Sequence, residues 1–190
     1  LFVGGGSTLS PNVSTLAFAS GQGIVVSNGG TVSMSTTSRL NVLGRVTLQS
    51  GGLITHSTNT DAGAPWVADA AVNISVPGDF DVQAGATISA NAKGYAGGID
   101  AGATGKGPGG GGASVPTLWG GNGAGYCGVG GNGTGSGSSA GGPAYGSLSA
   151  PTDPGSGGGG SGNGGVGGVG GGAVMLDVSG TLTLNGRVTA

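Results

Sequence analysis

LNVLGRVTLQSGGLITH (40–56) and ISVPGDFDVQAGATISA (74–90) align without a gap. Leu40 and Val42 fall on Ile74 and Val76, Gly44 on Gly78, and Val46 and Leu48 on Phe80 and Val82. Gly51 falls on Gly85 and Ile54 on Ile88. Within each copy, apolar residues alternate with small polar ones over three short runs, the pattern of half-buried strands. Glycines between the runs supply the turns.

Further copies lie on either side. Upstream, Leu16 and Phe18, then Ile24 and Val26, then Val32 and Met34 give the same layout, with Gly29 at the place of Gly51. Downstream, Leu176, Val178, Gly180, Leu182, Leu184, Gly186 and Val188 form a last copy, two residues shorter near its end. Gly29 and Gly51 are 22 residues apart, and Gly51 and Gly85 are 34 apart. The difference marks an insertion at 57–70, STNTDAGAPWVADA. A much longer one, at 94–172, separates Gly85 from Gly186.

A repeat of three short strands per 22 residues is the signature of a solenoid. The sequence therefore predicts an all-β chain, a parallel β-helix with about 22 residues per coil. One coil cannot bury its apolar face alone, but stacked coils bury a continuous column. Val42, Val76 and Val178 are expected in one ladder, and Gly44, Gly78 and Gly180 at one corner, where positive φ or close approach favours glycine. An antiparallel β-sandwich is the alternative, since alternating strands with glycine turns occur there too. In domain terms, 1–93 and 173–190 form the coils and 94–172 the glycine-rich insertion.

The repeat resembles right-handed β-helix segments of secreted bacterial surface proteins, including haemagglutinin-like and autotransporter passenger regions. The resemblance covers roughly 16–90 and 173–190 and rests on the pattern and on phrases such as SGTLTLNGRVTA and VQAGATISANAKG. It implies an extracellular or cell-surface setting, while such solenoids serve as adhesins, enzymes and scaffolds alike.

In the long insertion 36 of 79 residues are glycine. Ordering glycine carries a high entropic cost, and few side chains are present to offset it. Composition alone reads as a flexible linker. The ordered alternative is a layer of extended helices with three residues per turn, which must bond to neighbours because they hold no internal hydrogen bonds. The runs 105–112, 120–137 and 155–172 are then its strands. Such a layer resembles the polyglycine II bundles of some phage adhesin tips.

Charged residues are 6% of the chain, the net charge is −2, and there is no glutamate. No basic footprint for nucleic acid or anionic membrane results. No run of 18 apolar residues is present, so no membrane span is expected. Leu1 opens the chain without methionine and Ala190 closes it in mid-pattern, which reads as a processed form or a piece of something longer. His56 and Cys127 are the sole residues of their types and are read as structural. Asp79, Asp81 and Asp177 are read as a solvated face, and Arg39, Arg45 and Arg187 have no acidic cluster to join. No catalytic residue, cofactor or metal site is expected, and the chain is read as a non-enzyme.

Two functions follow. The first is an extracellular structural protein that polymerises into a filament or surface layer through open β edges and glycine-rich packing, with Leu1, Phe2 and Val3 as assembly contacts. The second is a carbohydrate- or surface-binding adhesin that uses Trp66, Trp119, Tyr126 and Tyr145. Trp66 is read chiefly as covering a seam of the solenoid.

Overall fold

A computed structural model describes residues 1–100, 102–114, 120–134 and 140–190. Trp119 lies outside the described residues. The described chain divides into two compact units: Leu1–Ser57, Ala70–Ala90 and Val174–Ala190 form one, Thr58–Asp69 and Asn91–Ala173 the other.

The first unit is a parallel β-helix. Its strands are β1 (Phe2–Val3), β2 (Thr8–Leu9), β3 (Thr15–Ala17), β4 (Gly23–Val26), β5 (Thr31–Met34), β6 (Leu40–Leu43) and β7 (Arg45–Leu48). The remainder are β8 (Leu53–His56), β9 (Val72–Val76), β10 (Phe80–Val82), β11 (Thr87–Ser89), β12 (Val174–Val178), β13 (Leu182–Leu184) and β14 (Arg187–Thr189). Successive strands visit three sheets in rotation. The first sheet holds β1-β4-β7-β10-β13, the second β2-β5-β8-β11-β14, and the third β3-β6-β9-β12. Every pairing is parallel. A sandwich of hairpins cannot give that pattern, because parallel neighbours need a crossover. Here the crossover is a full turn of the coil.

Register follows the repeat. Ile24, Val46, Phe80 and Leu182 stand on successive rungs of the first sheet. Val32, Ile54, Ile88 and Val188 do so on the second. Val76 pairs with Val178 on the third. Alternation sends these side chains inward, where Val26, Leu48, Phe80, Val82 and Ile88 are fully buried. His56, opposite Met34, takes an inward place in the second sheet and is buried.

One alignment shifts. Leu16 pairs with Val42 rather than Leu40, and Phe18 lies beyond the end of β3. The chain needs a longer turn from Ala17 to Gly23 than from Leu43 to Arg45, so the periodic pattern slips by one inward position there. The two-residue shortening of the last copy falls between β13 and β14, at the corner that β10 and β11 turn through Gly85.

The two sets of corner glycines have different causes. Gly29, Gly51 and Gly85 have φ of 79°, 75° and 82°, a conformation costly for a residue with a Cβ. Their backbones form a ladder, with the Gly29 amide donating to Gly51 and the Gly51 amide to Gly85. Gly44, Gly78 and Gly180 stack because backbone approaches backbone. A Cβ on Gly78 would lie 2.6 Å from the Gly44 carbonyl oxygen, and one on Gly180 would lie 2.6 Å from that of Gly78.

Both long loops leave between a second-sheet and a third-sheet strand: β8 to β9, and β11 to β12. Together they make the second unit, which thus begins at 91 and also contains 58–69. Its glycine-rich chain carries no strand or helix among the described residues, yet its amides are bonded across segments. Tyr95 and Gly98 donate to Gly155 and Gly158; Gly155 and Gly158 donate to Gly171 and Gly168; Gly170 and Gly167 donate to Tyr95 and Gly98. Gly157 and Gly160 donate to Lys106 and Ala103. Each neighbour is met again three residues later.

Segment 155–160 is the hub, bonded to 95–98, 103–106, Gly111, Asn122 and 168–171. The runs 105–112 and 155–172 are each two segments rather than one. They reverse at Gly107 and Gly164, both of positive φ, where Gly110 donates to Gly107 and Gly164 to Ser161. Packing glycine backbones this closely leaves no room for side chains: a Cβ on Gly157 would overlap the Ala96 carbonyl, and one on Gly159 that of Gly112. Asn122, buried, serves as a further peptide group. Its side-chain amide donates to the Gly112 carbonyl at 2.8 Å and accepts from the Gly133 amide at 2.7 Å.

Candidate functional site

The residues read as assembly contacts are already part of the solenoid. Phe2 and Val3 form β1, paired with Val25 and Val26 of β4. Val3 points inward and is buried, while Leu1 and Phe2 are exposed. The outer edge of β1 therefore remains the first edge of its sheet.

The opposite end of the solenoid is apolar and uncovered. Leu182 and Leu184 of β13 stand on the columns of Phe80 and Val82, and Val188 of β14 stands on that of Ile88. Their exposures are 47%, 50% and 41%, against 0% for the three residues beneath them. The sequence showed these residues as core members. It did not show that they stand exposed in this chain.

Of the aromatic residues read as a ligand platform, Trp66, Tyr126 and Tyr145 are half-buried and pair with tyrosine rings of the second unit. Trp66, half-buried, meets the buried Tyr95 edge to face at 5.6 Å. Residues 58–69, which carry Trp66, belong to the second unit. Tyr126 and Tyr145 meet edge to face at 5.0 Å. The Tyr145 hydroxyl donates to the Pro154 carbonyl at 2.6 Å. Glycines make room for these rings: a Cβ on Gly109 would lie 2.7 Å from Tyr145, and one on Gly146 2.8 Å from Tyr126. Desolvation raises the pKa of Tyr95, Tyr126 and Tyr145 above the usual phenol value. The loop that carries Trp66 is tied by Asp69, which accepts from the Thr60 hydroxyl and amide, and these bonds hold its carboxyl below the usual range.

Charged residues on the solenoid are partly paired. Arg39 reaches Asp177 at 2.9 Å, an exposed ion pair of the kind worth roughly 0–1 kcal/mol. The pair forms because coil stacking brings together residues distant in sequence, and both side chains stay exposed. Asp79 accepts from the Thr181 amide at 2.9 Å, and Asp81 from the Gln83 side chain at 2.9 Å. His56 Nδ1 lies 2.8 Å from the Ser57 carbonyl, and Cys127 is exposed. Among the described residues, no three His, Cys, Asp or Glu side chains group to hold a metal, and no helix is long and apolar enough to cross a membrane.

Comparison of the chain with protein-family models, curated proteins and solved structures finds no match.

Proposed function

We propose that the chain is an extracellular structural protein that polymerises end to end through its β-helix coils and displays a glycine bundle of the polyglycine II type. The observation that supports this reading is the columnar stacking of the coils: Leu182, Leu184 and Val188 continue three buried columns and are exposed in the 190-residue chain, where a second copy can cover them. A second copy seated there would lay its β1 on β13 and its β2 on β14. Contact between two different ends is heterologous, and repetition gives a filament rather than a closed ring unless rotation closes it. Near-neutral charge favours such association. The three-residue recurrence of hydrogen bonds in the second unit supports the polyglycine II description, and a bonded glycine bundle is suited to a rigid displayed element.

Negative-stain microscopy of the 190-residue chain in dilute buffer tests the proposal. Filaments are expected, and Leu184→Lys is expected to abolish them while leaving the far-ultraviolet circular dichroism spectrum unchanged. Dispersed monomers at every concentration would overturn the proposal.

A further inference from the structure

The stacked glycines at the corner between the third and first sheets leave a groove in the solenoid wall. Gly44 and Gly78 contribute no side chain there, and two adjoining concavities of about 490 and 290 Å³ share Gly21, Gln22 and Arg45. Leu43, Pro77 and Asp79 line one, and Phe2 lines the other. Gln22, Arg45 and Asp79 sit on successive coils, since the Arg45 amide donates to the Gln22 carbonyl and the Val46 amide to that of Asp79. All three are exposed, as is Leu43.

The polar groups are available to a ligand. The side chains of Gln22 and Arg45 make no hydrogen bond within the described chain, and no ion pair joins Arg45 to Asp79. Asp79 spends one carboxylate oxygen on the Thr181 amide and keeps the other. The wall thus offers a guanidinium, an amide and a carboxylate oxygen along one line, beside the apolar surfaces of Leu43, Pro77 and Phe2. We propose that this groove binds a neutral oligosaccharide lying across the coils.

Hydroxyl groups both donate and accept, and so match an amide, a guanidinium and a carboxylate together. The C–H faces of a sugar ring match leucine, proline and phenylalanine. The charges of Arg45 and Asp79 cancel, which gives no preference for an anionic polymer. An added peptide strand does not fit, because β7 is already paired on both sides, with β4 and with β10. The groove lies on the solenoid wall and uses none of Trp66, Tyr126 or Tyr145.

An array of neutral oligosaccharides (β-glucan, chitin, mannan and galactan hexamers) beside uronate and sulfated ones tests the proposal. The best neutral hexamer is then titrated by calorimetry. Retention on a neutral glycan is expected, weakened at least about tenfold by Arg45→Ala and by Gln22→Ala and unchanged by Val169→Ser in the second unit. Both groove substitutions replace exposed side chains, so either suffices if the other perturbs the fold, as a thermal melt will show. No retention, retention confined to anionic glycans, or affinity indifferent to the substitutions would overturn the proposal.

Discussion

Phe80 and Leu182 are partners on neighbouring rungs of one sheet, although the entire glycine-rich segment lies between them in sequence. Phe80 is fully buried between Val46 below and Leu182 above. Phe80→Ala should therefore destabilise the solenoid by about 3–5 kcal/mol, the usual cost of deleting a core phenylalanine. Leu182→Ala removes a half-exposed side chain and should cost much less. Urea denaturation of both variants measures the difference, and equal losses would contradict the half-exposed place of Leu182 in this chain.

Gly157 and Gly168 give a matched pair in the second unit. Neither has positive φ, so alanine is conformationally acceptable at both. A Cβ at 157 overlaps the Ala96 backbone, whereas one at 168 meets nothing within 4 Å. Gly157→Ala should cost about 1–3 kcal/mol or more through overpacking. Gly168→Ala should be neutral or stabilise by about 0.4–1 kcal/mol through the unfolded chain. Thermal melts monitored by tyrosine fluorescence separate the two, because all three tyrosines lie in this unit.

The same tyrosines set an alkaline limit. Desolvation raises the pKa of each above the usual value near 10. A phenol raised in the folded state gives stability that is fully present below its unfolded pKa and lost as pH climbs through the folded one. The second unit should hold its stability through neutral pH and loosen above about pH 10. Tyrosinate absorbance near 295 nm should rise later than in a free tyrosine titration and together with loss of structure. Three phenols titrating independently at the free value would contradict the packing of Tyr95, Tyr126 and Tyr145.

Much of the solenoid was legible in the sequence because a β-helix writes its contacts as a repeat. The gapless match of 40–56 with 74–90 is the pairing of β7 with β10 and of β8 with β11. The slip at Leu16 was not legible, because turn length between β3 and β4 is set by local geometry and leaves no periodic mark. Arg39 with Asp177 was hidden for a related reason: the ion pair exists only once the long insertion is looped out. The second unit was least legible. Glycine carries no pattern of buried and exposed side chains, so its three-residue recurrence resides in backbone hydrogen bonds that composition does not record. The union of 58–69 with 91–173 was likewise invisible, since the two loops share no sequence feature. Among the expected site residues, aromatic identity alone could not show that Trp66 pairs with Tyr95 and Tyr126 with Tyr145.

End-to-end stacking is tested most directly by covalent capture across the junction. Phe2, Val25, Thr47, Asp81 and Thr183 form one outward column of the first sheet, so a second copy seated on β13 brings its Phe2 beside Thr183. In a Cys127→Ser background, Phe2→Cys combined with Thr183→Cys should, on mild oxidation, give a ladder of disulfide-linked multimers in non-reducing electrophoresis. Either substitution alone should give dimers at most. A double variant that stays monomeric, under conditions where both thiols react with a maleimide, would contradict the account.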